Sequence, residues 1–323
     1  MAAILRNVNF KTKLIYPQAT NNVSDLSLRL WLPESNSENQ TDQIAILLHG
    51  FLEGIESDKR RWNKWLKRYD AIAEELAFRG IASIFLPMPL HFERGFFLDA
   101  ESIHSDVVRR LKNDGSMLYF GGHDQFSQDI GLLVDEIIKN PNHFGLAACS
   151  PKIHLVGYSL GGAAAMAAAT AHQGKINSLS VLYSTWGLAN ISAEAIGRVF
   201  ENQFGFSADD WNATISKLSL KRDSFDEAFR ALIWGEIPTG WFQRFPRRVM
   251  FLHGLKDELF SSGMTIRGSY TFFSTFSSML EHLDSSIRDQ YEVVFMNSHT
   301  DHLFLNRKAQ VAAMVASFVG VRR

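Results

Sequence analysis

Lys152-Ile153-His154-Leu155-Val156-Gly157-Tyr158-Ser159-Leu160-Gly161-Gly162 reads as a buried strand, a sharp turn and a helix start in immediate succession. Ser159 stands at the turn, inside the pattern G-x-S-x-G. In that setting the strand aims the serine hydroxyl out of the end of a sheet, an arrangement called the nucleophile elbow. The flanking glycines let neighbouring backbone approach a residue held in a strained conformation. The alanine-rich run 163–171 suits a helix packed closely behind the serine, its N-terminus turning partial positive charge toward the hydroxyl.

Outward from that stretch the apolar periodicity gives an ordered series of elements. Residues 7–16 and 25–32 alternate as antiparallel strands do, joined by the turn-prone Ala19-Thr20-Asn21-Asn22. The continuous apolar run 44–48 fits a parallel strand covered on both faces. Residues 58–79 form an amphipathic helix stopped by Gly80, and 81–86 a buried strand ended by Pro87 and Pro89. A helix over 125–139 repeats Ile130, Leu133, Val134, Ile137 and Ile138 at helical spacing until Asn140-Pro141 ends it. Strands follow at 179–183, 248–252 and 291–296, with helices near 271–285 and 303–319. The class is α/β, with a mostly parallel central sheet and helices on both faces.

Two segments are too long for ordinary connections, 90–122 and 189–245. The second carries Trp211, Trp234 and Trp241 among several phenylalanines, and is expected to be an inserted helical lid. The core then comprises 1–188 and 246–323, with a smaller insertion at about 90–122.

Bulk properties narrow the partners. A formal charge of −1 on 323 residues provides no sustained basic field, so nucleic acid is not an expected partner. The basic and aromatic run 59–68 reads as a solvated helix face with Trp62 and Trp65 docking inward. Cys149 is the only cysteine, which excludes an internal disulfide and a metal site of several thiolates; it is expected to be buried ahead of its strand. His91, His104 and His123, with Asp106 and Asp124, lack the spacing of a metal site, and neither metal nor cofactor is expected. Residues 1–20 have no continuous apolar core and no span reads as transmembrane, so a cytoplasmic location is expected. The oligomeric state stays open.

A serine hydroxyl needs a histidine to take its proton, and that histidine needs a carboxylate to fix its tautomer. Asp257 lies in the loop after the strand ending Leu252-His253-Gly254, with Glu258 next to it. The loop after the last strand, Asn297-Ser298-His299-Thr300-Asp301-His302, offers His302 as the base, with His299 as the alternative. The chain order Ser159, Asp257, His302, together with His49-Gly50-Phe51 directly after the third strand, resembles the α/β-hydrolase superfamily over roughly residues 25–320 outside the two insertions.

The resemblance implies an oxyanion hole built from the backbone N–H groups of Phe51 and Leu160. His49, Gly50, Arg94 and Tyr158 are candidate substrate-binding residues, His49 through shaping of the turn. The expected activity is hydrolysis of an ester, thioester or amide through an acyl-enzyme, carboxylic ester first, on a small acyl substrate with an apolar part. An acyltransferase with the same triad, or a binding protein on the same scaffold, are the alternatives.

Overall fold

The computed structural model describes residues 3–12, 25–34, 41–50, 53, 59–88, 91–92, 124–147, 149–184, 193–194, 197, 201, 207–224, 230, 234, 236, 244–254, 292–298 and 307–320. Among them eight strands form one sheet: β1 (Ala3–Lys11), β2 (Asp25–Pro33), β3 (Gln43–Leu48), β4 (Ala82–Leu86), β5 (Lys152–Tyr158), β6 (Ser178–Leu182), β7 (Arg248–Gly254) and β8 (Glu292–Ser298). Their spatial order is β1-β2-β4-β3-β5-β6-β7-β8. β2 runs antiparallel to β1 and β4, and every pairing from β4 to β8 is parallel. The described helices of three turns or more are α1 (Lys59–Phe78), α2 (Asp124–Lys139), α3 (Leu160–Ala171), α4 (Ala208–Ser219) and α5 (Lys308–Val319).

Side chains alternate across a strand, so each central strand divides between two apolar layers. Ile44, Ile46 and Leu48 of β3, with Ile153 and Leu155 of β5, face α2 and α3 in one layer. Ala45 and Leu47, with Val156 and Tyr158, face α1 and α5 in the other. All six residues of β3 are buried, because both its faces are covered. In α1, Trp62, Leu66, Tyr69, Ile72, Ala73 and Leu76 recur at helical spacing and are buried. Gly80 then ends that turn at φ +78°, a conformation suited to glycine.

The chain steps from β3 to β4 on one side and then jumps back over β3 to β5 on the other. The carboxyl ends of β3 and β5 therefore flank a topological switch point, where open α/β sheets hold their ligands. His49 follows β3 and Ser159 follows β5.

Several sequence expectations shift. β1 occupies Ala3–Lys11 instead of beginning at residue 7, because it pairs with the whole of β2, from Ala3 opposite Pro33 to Lys11 opposite Asp25. Residues 13–16, expected in that strand, and the helix expected near 271–285 lie outside the described residues. Ile138 is exposed, off the stripe that Ile130, Leu133, Val134 and Ile137 bury. Cys149 is exposed rather than buried, since it sits in a bend at the amino end of β5, before the strand enters the sheet. In the expected lid segment, α4 is closed by a capping box between Ser207 and Asp210, and its Trp211 and Leu218 join the apolar layer of α2 and α3. The rest of that segment, and all of 90–122 except His91 and Phe92, lies largely outside the described residues. Among the described residues no helix is long and apolar enough to cross a membrane.

The amino end of the sheet holds a neutral polar line. The His154 ring lies 2.7 Å from Ser178 Oγ through Nδ1 and 3.3 Å from Gln43 Oε1 through Nε2, joining β3, β5 and β6 on the face toward α1. The Gln43 carbonyl only accepts, so Nε2 carries the hydrogen and Ser178 donates to Nδ1. Burial, then the charges of Arg248 and Lys152, lower the imidazole pKa to about 3. Arg248 is itself held by Glu292 at 3.0 Å and donates to the Phe318 carbonyl near the end of α5.

Candidate active site

Ser159 has φ +52° and ψ −121°, a conformation an L-residue keeps only when its surroundings fix it. Its N–H donates to the Leu182 carbonyl at 2.8 Å, carrying the β5–β6 pairing one residue beyond the strand. Its own carbonyl accepts from Gly162 N–H at 2.9 Å, opening α3. A Cβ on Gly157 would stand 2.3 Å from the Gly161 carbonyl oxygen, and one on Gly161 would stand 2.5 Å from that of His49. Backbone thus touches backbone where the elbow meets the exit of β3, a fit only glycine allows. Ser159 is half-buried between the fully buried Tyr158 and Leu160, the one partly open residue of the turn.

His49 is fully buried. Met88 N–H donates to its Nε2 at 2.7 Å, so that nitrogen is the acceptor of a neutral ring, and Nδ1–H donates to the Gly50 carbonyl at 2.7 Å. The ring stacks on Phe85 and meets His91 and Phe92, each at 5.0 Å between centroids. His49 therefore ties the turn after β3 to the residues after β4. A Cβ on Gly50 would lie 2.8 Å from Tyr158 Cε1 and 3.0 Å from Glu53 Oε1, so the turn rests directly on the tyrosine ring.

Beneath this turn lies a cluster that the sequence reading passed over. Arg68 is fully buried in α1, contrary to its expected place on a solvated face. Its Nη2 donates to Glu53 Oε1 at 2.5 Å, and Tyr69 Oη donates to Glu53 Oε2 at 2.8 Å. The guanidinium sits 4.6 Å from the centre of the Tyr158 ring. Burial opposes the Arg68 charge, but Glu53, Tyr158 and Tyr69 outweigh it and hold its pKa above the ordinary value. Burial and then Glu53 push the Tyr69 phenol well upward, so it stays protonated and donates. A signal existed: Trp65, Arg68 and Ile72 follow the helical stripe, and a charge at a stripe position requires a buried partner.

The structure brings the elbow against the turn after β3: Gly161, two residues after Ser159, meets the His49 carbonyl, and Tyr158, one residue before it, lies against Gly50. His49 and Tyr158 are buried, their rings engaged with Met88 and Gly50 and with Arg68 and Gly50. Phe51, Arg94, Asp257, Glu258, His299 and His302 lie outside the described residues. The strands leading to them are described: β7 ends at Gly254 and β8 at Ser298, parallel to β5, with their carboxyl ends on the edge that carries Ser159. His104, His123 and Asp106 are likewise outside, as is the side chain of Asp124, and His91 is buried against the His49 ring.

No family model matches the sequence, and no curated protein matches it. Solved structures do. The fluorophosphonate-binding serine hydrolase F (FphF) of Staphylococcus aureus is similar at 14% identity and a TM-score of 0.56, over 100% of both chains. Carboxyl esterase 2 of the mycorrhizal fungus Tuber melanosporum is similar at 11% identity and 0.57, over 99% of this chain and 86% of the esterase. The acylaminoacyl peptidase of Pyrococcus horikoshii is similar at 12% identity and 0.54, with 98% of this chain covering 41% of the peptidase. Strand order, elbow and these likenesses agree: the chain has the α/β-hydrolase fold.

Proposed function

We propose that the protein is a serine hydrolase that cleaves a carboxylic ester, thioester or amide through an acyl-enzyme, with carboxylic esters first. The observation that carries this reading is the backbone of Ser159, strained to φ +52° at a strand-to-helix turn pressed against the residues after β3. In the proposed reaction Ser159 Oγ attacks the acyl carbon as His302 takes its proton, with Asp257 orienting the imidazole. The oxyanion is held by the N–H groups of Phe51 and Leu160. Collapse breaks the bond to the leaving group, which receives the proton from His302. Water, deprotonated by the same histidine, then releases the acid and restores the hydroxyl.

In this reading His49 and Gly50 shape the turn, and Arg94 and the 189–245 segment serve substrate binding. The esterase and peptidase activities named for the similar structures support a hydrolase and leave the scissile bond to experiment.

A fluorophosphonate probe tests it. Its phosphorus takes Ser159 Oγ while fluoride leaves, so the intact chain is expected to label and Ser159→Ala to lose all labelling. His302→Ala should lower labelling and ester turnover by about three orders of magnitude or more. Labelling that persists in Ser159→Ala overturns the assignment of the nucleophile, and an unlabelled wild type overturns the reading.

A further inference from the structure

Buried ion pairs are poor sources of stability, since apolar residues of the same volume commonly do as well. One that survives inside a core invites the question of what it holds in place. Glu53 and Arg68 join two parts of the candidate site just beyond the last β3–β5 pair, Leu48 opposite Gly157. Glu53 belongs to the turn after β3 that begins His49-Gly50, and its carboxylate lies against Gly50, where a Cβ would come within 3.0 Å of Oε1. Arg68 stacks on Tyr158, the residue before the elbow serine, with its guanidinium 4.6 Å from the ring centre. Tyr158 in turn lies under Gly50. The contacts close a ring: turn to carboxylate, carboxylate to guanidinium and phenol, guanidinium to tyrosine, tyrosine back to turn.

We propose that Glu53 and Arg68, with Tyr69 as the second donor, are positioning residues that fix the turn after β3 relative to Ser159. The inference rests on the hydrolase reading above. Phe51 stands between Gly50 and Glu53 in the sequence, so a shift of the turn moves one of the two donors proposed for the oxyanion. Because His49 already anchors the near side of the turn to Met88, Glu53 supplies the hold on its far side. The guanidinium fork suits this work: its donors are set in one plane, so the carboxylate is held in direction as well as distance. Loss of such a hold displaces a donor by a fraction of an ångström to an ångström, and displacements of that size lower the chemical step by up to about a hundredfold.

The test separates position from stability. In Glu53→Leu/Arg68→Met/Tyr69→Phe, the ion pair and the phenol hydroxyl are replaced together, leaving no buried charge behind. Fluorophosphonate labelling of Ser159 is then followed against probe concentration, giving the maximal rate kinact and the half-saturating concentration KI, alongside the thermal midpoint. The expected result is a folded variant with kinact lowered ten- to a hundredfold and KI unchanged. A purely structural ion pair would leave kinact at the wild-type value in the folded variant, which overturns the proposal.

Should the triple variant not fold, Tyr69→Phe decides alone. It removes one hydroxyl, and a severalfold fall in kinact at constant KI supports the inference while an unchanged kinact overturns it. A wild-type chain that does not label removes the hydrolase reading and this inference with it. A wild type that labels beside a variant that labels equally removes the inference only.

Discussion

His154 and Tyr158 lie on the same strand and the same face of the sheet, about 13 Å apart at 3.3 Å per residue, and the two ends treat buried polarity in opposite ways. Around Tyr158 a full charge is kept: Arg68 stays ionised because Glu53 and the two tyrosines outweigh its burial. Around His154 charge is suppressed: burial and the nearby Arg248 and Lys152 hold the ring neutral between Ser178 and Gln43. The charged cluster joins a turn to a helix and a strand end. The neutral one joins three strands already bonded to each other. Strong, directed interactions stand where backbone pairing gives out, and weak neutral ones suffice where the ladder has done the ordering.

The sharpest way to break that contrast is to remove one partner of the ion pair. Glu53→Ala leaves the Arg68 charge buried without its carboxylate, and Arg68→Ala does the converse. Each is expected to lower stability by about 3–5 kcal/mol, read from urea unfolding midpoints at constant slope. A loss below about 1 kcal/mol, the range of exposed pairs, would mean that solvent reaches the pair and that the two ends are not distinct.

The other end answers to pH. Unfolded His154 takes a proton near pH 6.5, whereas in the folded chain the pKa falls to about 3. Between those values the unfolded state binds more protons, so stability is greatest above pH 6.5 and declines as the pH falls toward 3. The His154 share of that slope approaches about 1.4 kcal/mol per pH unit. Urea midpoints at pH 7, 6 and 5 should therefore drop faster for the wild type than for His154→Gln, which carries no titrating group. Parallel lines for the two proteins would show that His154 charges freely in the fold.

Much of this arrangement was legible from residue order. The elbow serine, the all-buried β3, the helix stripe of α2 apart from Ile138 and the antiparallel leading pair follow from periodicity and glycine placement, and the structure reproduces them. What escaped is non-local. Arg68 looked solvated because it stands in a run of lysines and arginines; Glu53, 15 residues earlier in a turn, together with Tyr69 and Tyr158, makes its burial tolerable. The length of β1 was set by its partner strand rather than by its own alternation. Cys149 is apolar enough for a core, and its exposure follows from its position ahead of the strand, which composition does not encode. Asp257 and His302 rest on motif order and on the ends of β7 and β8, so their roles stay with the proposal.

The smallest effect makes the finest comparison, because a single hydroxyl can be removed at each end of the sheet. Ser178→Ala deletes the donor 2.7 Å from His154 Nδ1, and Tyr69→Phe deletes the donor 2.8 Å from Glu53 Oε2. Ser178→Ala should lower stability by about 1 kcal/mol and Tyr69→Phe, whose partner is charged, by about 1.5–3 kcal/mol, so thermal midpoints rank the two by hydrogen-bond strength alone. Labelling of Ser159 should be unchanged in Ser178→Ala and slowed severalfold in Tyr69→Phe. Ser178 lies in a register fixed by strands on both sides, so a lost hydroxyl moves nothing that reaches the nucleophile. Tyr69 acts on a carboxylate in a turn, and no ladder there absorbs the change. Equal slowing in both variants would trace the loss to general softening of the fold and dissolve the distinction between the two ends of the sheet.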